Sequence, residues 1–243
     1  MPIIKLNAIG STNTYLKELC SKNKVEDLTA VMAKLQFEGR GQMGTTWQVE
    51  TGKNLTCSVF KRFKAFSVDD SFYISIVTSL AIIKTLKGFN IPKLSVKWPN
   101  DILSEDKKIC GILIENVIKN NQIDASIIGI GLNINQSFFK DLPNASSLKI
   151  ISGQLFDIEE ILQHILINLK YYFKFLELKE FAALKVSYET ILFRKDKPST
   201  FKDNQGTIFP GFIKGIDVSG NLTILLEDDI LKTFDLKEIK LLF

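Results

Sequence analysis

At 243 residues, 45% hydrophobic and 24% charged, the chain has the composition of a folded globular protein, not of a disordered one. Its net charge of +4, from 31 basic and 27 acidic side chains with no long Lys/Arg run, offers no electrostatic case for nucleic acid. No stretch approaches the roughly 20 apolar residues of a membrane span, and the N-terminus lacks a secretory-type apolar segment, so a cytoplasmic protein is expected.

In chain order, residues 3–9 read as a strand, followed by Gly10 and a helix capped by Ser11 or Thr12 with an apolar stripe of Leu16, Leu19 and Cys20. Residues 28–36 form a second strand that feeds a glycine loop, and residues 55–60 a third. A long, mostly buried helix is predicted over 71–86, ended by Gly88, and the chain returns as a strand over 94–98. Strands over 107–117 and 122–133 are joined at Asn120-Asn121, a hairpin turn. Asp157 with Glu160 three residues on is a helix-start signature for a helix over 158–176, and another is predicted over 178–192. Beyond Arg194 the texture changes to short strands broken by Asn204-Gln205-Gly206, Pro210-Gly211, Ser219-Gly220-Asn221 and Asp228-Asp229, the pattern of a small β-barrel. The expectation is an α+β domain over 1–193 and a β module over 194–243.

His164, the only histidine, falls inside the apolar periodicity of the 158–176 helix and reads as structural, which disfavours Ser-His-Asp or histidine-metal chemistry. Cys20, Cys57 and Cys110 are odd in number and far apart, which suits core thiols in a reducing compartment. Gly39-x-Gly41-x-x-Gly44 formally matches a dinucleotide fingerprint, but no helix opens behind it; Thr45 to Gly52 mixes β-branched residues with a turn. Arg40 and Trp47 nevertheless suit an anion and an adenine ring. In Lys97-Trp98-Pro99-Asn100-Asp101 the proline takes the chain out of the sheet, leaving Asn100 and Asp101 at a strand end. Lys107 and Lys108 alternate faces, so only one can serve a site, while Gly111, Gly129 and Gly131 weaken their strands unless something packs closely on them.

Four stretches taken in order, Ser11-Thr12-Asn13, the glycine loop, Lys97 to Asp101 with Lys108 downstream, and Gly129 to Asn133, resemble the biotin–protein ligases over essentially the whole chain. The resemblance implies a class II synthetase-like catalytic domain with a mixed or antiparallel sheet, then a small C-terminal β-barrel. It implies formation of biotinyl-5′-AMP from biotin and Mg·ATP, then transfer of biotin to a lysine of a biotin carboxyl-carrier domain. Ser11, Thr12, Asn13, Gln36, Gly39, Arg40, Gly41, Lys108, Gly111 and Gly129 would contact biotin. Arg40, Gln42, Trp47, Asn100, Lys108, Gly131 and Asn133 would contact ATP and the adenylate. Lys108, Arg40 and Asp101 would carry the chemistry, with Asp101 and Asn100 holding magnesium. The likeness is to short members without a DNA-binding domain, so no operator binding, no membrane partner, and a monomer or weak homodimer are expected. Where the family's loop usually carries basic residues, this chain has Gln42 and Thr45, which implies a looser hold on the adenylate. Two rivals remain: a lipoate or octanoate ligase or transferase of the same architecture, and a non-catalytic biotin sensor.

Overall fold

The computed structural model describes residues 1–242, without the side chain of Asp228. Phe243, the last residue of the expected β module, lies outside the described set. The first unit runs β1 (Ile3–Ile9), α1 (Thr12–Lys22), β2 (Ala30–Gln36), β3 (Leu55–Ser67), α2 (Phe72–Gly88), β4 (Leu94–Lys97), β5 (Asp101–Ser104), β6 (Lys107–Lys119) and β7 (Gln122–Leu132). Next come α3 (Leu148–Ser152), α4 (Ile158–Glu177) and α5 (Phe181–Glu189). Seven strands form one sheet in the order β1-β2-β3-β7-β6-β5-β4, antiparallel except for the β1–β2 pair.

The alternation of β7 divides the sheet's two faces. Ile128, Ile130 and Leu132 point into a large core shared with α2, α4 and α5. Ala125 and Ile127 point the other way and pack with Leu16 of α1, Val31 and Phe60. Gly129 and Gly131 continue along that second face, Gly129 under Asn13 at the start of α1 and Gly131 beyond the helix. Helix α2 is apolar nearly all round because it is sandwiched between the sheet and α4.

The remaining strands, β8 (Pro198–Asp203), β9 (Ile208–Ile216), β10 (Leu222–Leu225), β11 (Leu231–Phe234) and β12 (Ile239–Leu242), form a five-stranded antiparallel sheet in the order β11-β10-β9-β8-β12. It is tied to the first unit through the expected strand-end motif. Trp98 Nε1 donates to Gly220 O at 2.8 Å, and a side chain at Gly220 would collide with the Phe72 ring.

Ser11 caps α1, accepting from Thr14 N–H, and Asp157 caps α4, accepting from the N–H groups of Glu159 and Glu160. Asn120 and Asn121, at φ 49° and 58°, make the expected hairpin turn. Several boundaries differ from expectation. β2 begins at Ala30 because Leu28 sits in the left-handed region (φ 61°), and β3 runs to Ser67, carried past residue 60 by its pairing with β7 through an irregularity after Arg62. Helix α2 keeps Gly88 as its last residue and is capped by Phe89, with Asn90, not the glycine, supplying the left-handed turn (φ 57°). Lys179 (φ 60°) interrupts the 178–192 prediction, leaving α5 short. Strand β5 and helix α3, of four and five residues, are too brief to show periodicity in sequence. His164 lies exposed on α4, its ring edge-on to Phe89 at 5.5 Å.

Candidate active site

The uncovered part of the α1 face opens into a cavity of about 750 Å³. Every residue expected to contact biotin, ATP or magnesium lines it except Gly39. Its floor is the glycine row, with Gly111 of β6 registered opposite Gly131 of β7 and Leu113 opposite Gly129. The glycines are required by what lies on them. A methyl at Gly131 would come within 2.6 Å of Trp47 Nε1, one at Gly111 within 3.2 Å of Trp47 Cζ3, and one at Gly129 within 2.6 Å of Asn13 Oδ1.

Trp47 is carried by the glycine loop, which is a small hairpin and not a helix N-terminus. Trp47 N–H donates to Gly39 O at 2.9 Å, Gly41 N–H to Thr45 O at 2.6 Å, and Arg40 bridges Thr46. The tip is a single 3₁₀ turn over Gln42–Gly44, with Met43 at φ 53° and Gly44 at φ 77°. Thr45, at the position expected to be basic, closes that tip by donating its hydroxyl to Gln42 O at 2.8 Å. A side chain at Gly39 would meet the Trp47 carbonyl, and one at Gly41 would meet Thr45 Oγ1. Gly39 therefore serves the hairpin, not the cavity wall.

One end of the cavity is a hydroxyl–amide cluster. Thr12 donates to Gln36 Oε1 through both its N–H (2.7 Å) and its hydroxyl (2.9 Å). Both bonds fall on the amide oxygen, so the NH₂ of Gln36 is the group left to donate elsewhere. Ser58 Oγ sits 2.8 Å from Thr12 Oγ1 and 2.5 Å from Asn13 Oδ1. Asn13 Nδ2 donates to Glu115 Oε2 at 2.6 Å and reaches Leu113 O at 3.4 Å. Ser58 and Glu115 were not identified from sequence. The available signal is a polar residue on the α1-side row of a strand, legible only once the register places Ser58 opposite Gly129.

The other end is charged. Asp101, first residue of β5, is registered opposite both Lys97 and Gly111, and its Oδ1 lies 2.6 Å from Lys108 Nζ. This is a contact of charges, since Oδ1 accepts no aligned hydrogen bond. Lys108 Nζ also lies 5.7 Å from the Trp47 ring centroid. Lys107 points away and donates to Pro143 O at 2.8 Å; the register shift that pairs Ile102 with Cys110 but Leu103 with Lys108 is what turns Lys108 onto the Gly111 face. Lys97 and Lys240 complete the wall; burial, and then the Lys108 and Lys240 charges, pull the Lys97 pKa below its ordinary value against the opposing pull of Asp101. Lys240 arrives from β12 and gave no signal in sequence. Asn100 donates its Nδ2 to Ile112 O at 2.8 Å and Asn133 its Nδ2 to Ser146 O at 3.0 Å, so each side-chain oxygen is the atom left to accept or coordinate. The segment after β7 is stitched to Lys108, whose N–H donates to Asn144 O at 2.7 Å, and it lends Phe139 and Leu142 to the wall.

Arg40 is not with Lys108 and Asp101. Its Nη2 donates to Thr14 Oγ1 at 3.0 Å and lies 3.6 Å from Glu115 Oε2, at the hydroxyl–amide end. The physical reason is the local carboxylate, which attracts the only guanidinium the hairpin carries.

Residues 6–133 match the family model described as the Biotin/lipoate A/B protein ligase family. The chain is 27% identical over 237 residues to the "Bifunctional ligase/repressor BirA" of Bacillus subtilis (strain 168), covering 96% of this chain and 72% of that relative. It is 29% identical over 142 residues to the "Biotin--[acetyl-CoA-carboxylase] ligase" of Mycobacterium tuberculosis, 57% of this chain and 52% of that one. Its structure superimposes with a TM-score of 0.81 on the biotin protein ligase of Aquifex aeolicus in complex with biotin and ATP, at 27% identity over 99% of this chain and 98% of the other. The glycine row, the hairpin that roofs it and the paired Asp101 and Lys108 thus stand in a chain that belongs to the Biotin/lipoate A/B protein ligase family.

Proposed function

We propose that the protein is an ATP-dependent biotin–protein ligase. The observation that carries this reading is the polarity of this cavity: a hydroxyl–amide cluster at one end, glycines beneath an indole in the middle, and Asp101 with Lys108 at the other. A bicyclic urea with a carboxylate tail, and a nucleotide on the Trp47 side, fit that order. Gln36 donates its NH₂ toward the urea oxygen while Thr12, itself bonded to Ser58, holds the amide in place. Asn13 packs on Gly129 and shapes that end through its bonds to Ser58 and Glu115.

In the first step a biotin carboxylate oxygen bonds to the α-phosphorus of ATP and the bond to the β-phosphate oxygen breaks, giving biotinyl-5′-AMP and pyrophosphate. In the second, a neutral acceptor-lysine amine attacks the acyl carbon. The acyl C–O bond breaks, AMP leaves, and the amine proton passes to solvent. Lys108 stabilises the charge that builds on carboxylate and phosphate oxygens in both steps. The roof over residues 39–47 keeps water from the mixed anhydride. Trp47, Gly131 and Asn133 border the adenine, and Gln42 faces the phosphates from the hairpin tip.

Magnesium fits here as the ion that ATP carries, because it commonly takes one or two protein oxygens and completes its shell with phosphate and water. The Asp101 carboxylate and Asn100 Oδ1 would hold it, and it would neutralise charge on the departing pyrophosphate. The acceptor we infer is a biotin carboxyl-carrier domain of a carboxylase. Residues 1–193 form the catalytic unit in this reading, and 194–243 a module that adds Leu236 and Lys240 to the cavity. Among the described residues no helix is long and apolar enough to cross a membrane, consistent with action in the cytoplasm.

The hydroxyl–amide end favours biotin over lipoate or octanoate, whose dithiolane or alkyl end would leave buried polar groups unpaired, an effect worth roughly 10⁴-fold in discrimination. Pyrophosphate–ATP exchange with each acid in turn tests this. Exchange with biotin alone supports the reading, exchange with lipoate or octanoate moves the chain to the sister activity, and silence in folded, biotin-binding protein leaves a sensor.

A further inference from the structure

Arg40 is the one arginine of the hairpin, and Glu115 determines where its charge sits. Glu115 lies on β6 on the same face as Gly111 and Leu113. Asp101 is registered opposite Gly111, four residues along, which is roughly 13 Å at the rise of a strand. The guanidinium is therefore held at the opposite end of the cavity from Lys108. The holding contacts are graded for release. The pair is half-exposed, with side chains 50% and 31% accessible, and the remaining bond is to the Thr14 hydroxyl on an exposed turn of α1. Exposed ion pairs of this kind bias an equilibrium by only about two- to fivefold. The same Glu115 oxygen also accepts from Asn13 Nδ2 at 2.6 Å, so one atom joins the hairpin to the wall of the hydroxyl–amide end.

We propose that Glu115 is a positioning residue that latches Arg40 at the hydroxyl–amide end, so that the loop's charge moves to an anion beside Lys108 only when Asn13 and its neighbours are engaged by substrate. The switching step rests on the adenylation reading; the latch itself does not. Glu115→Gln keeps an oxygen for Asn13 Nδ2 and removes the charge that holds Arg40. Thr14→Val removes the other partner at an exposed position and carries the comparison should the first variant not fold.

The readout is tryptic cleavage of the Arg40–Gly41 bond, followed by mass spectrometry, because the protease must capture a released Arg40 side chain and its rate tracks the released population. Without substrates, both variants are expected to be cut about two- to fivefold faster than wild type. With biotin and ATP added, all three proteins should converge on one slower rate. Wild-type rates in both substrate-free variants would overturn the latch. A difference that persists undiminished with biotin and ATP would overturn the switch, leaving a fixed brace. Failure of wild type in pyrophosphate exchange would instead remove the adenylation reading, while the substrate-free comparison would still decide the latch.

Discussion

Gly131→Ala isolates what the Trp47 indole does. A methyl at that position would sit 2.6 Å from Trp47 Nε1 and 2.7 Å from Cζ2, whereas carbon atoms rest in contact at roughly 3.5–4.0 Å. The ring must lift by about 1 Å. Its backbone cannot follow, because Trp47 N–H is bonded to Gly39 O at 2.9 Å, so the indole tilts into the cavity. Overfilling of this kind costs about 1–3 kcal/mol, and the partial exposure of Trp47 puts the cost at the low end. The kinetic effect should be larger, since a ~1 Å misplacement at a reacting centre can cost about 10²-fold.

Gly129→Ala is the counterpart at the other end, with its methyl 2.6 Å from Asn13 Oδ1 and 3.1 Å from Leu113 O. Pyrophosphate exchange with each substrate varied in turn should show Gly131→Ala raising KM for ATP with biotin little affected, and Gly129→Ala doing the reverse. Gly88→Ala, on α2 with open space around it, is the control. It should raise stability by about 0.5–1 kcal/mol and leave both KM values alone. If the two site variants raise the same KM, or neither does, the division of the cavity into a urea end and a nucleotide end is wrong.

Lys108→Ala should lower the adenylation rate by about 10²–10³, yet shift stability by less than about 1 kcal/mol because the Lys108 side chain is 37% exposed; a thermal melt beside single-turnover kinetics separates the two, and a variant that melts early but turns over normally would contradict the role. Gln42→Arg should slow release of the adenylate by roughly tenfold, the gain of one charge-assisted bond, and a stopped-flow release rate equal to wild type would remove any weakness at that position. Burial pushes the Cys57 thiol up to about 12 and the Cys110 thiol up as well. Native protein at pH 8 should therefore lose only Cys20 to an aromatic disulfide reagent, and all three thiols once unfolded in urea. The linkage has a sign: the two thiols stay protonated when folded but ionise in the ordinary thiol range, near 9, when unfolded, so the stability they contribute is complete below about 9 and drains away as pH rises toward about 12. A flat urea midpoint across that window would contradict the burial.

Much of this protein is legible one residue at a time. Ser11 and Asp157 as caps, the Asn120-Asn121 turn, the alternation that sets Lys107 and Lys108 on opposite faces, and the absence of a helix behind the glycine loop all follow from local chemistry that neighbouring residues impose on the backbone. The glycine row is also foreseeable in kind, because two glycines in a buried strand imply a close neighbour. That Trp47 fills the row at one point and Asn13 at another depends on bringing β6, β7, the hairpin and α1 into register across more than a hundred residues, which no local pattern encodes. The same holds for Ser58, Glu115 and Lys240, ordinary polar residues in sequence that matter only for what stands opposite them. Arg40 shows the difference most directly. Its charge announces an anion site, but its position is set by Glu115, 75 residues away along the chain and 3.6 Å away in space. Local propensity determined the elements and the chemistry they carry; long-range strand pairing alone decided which of those groups meet.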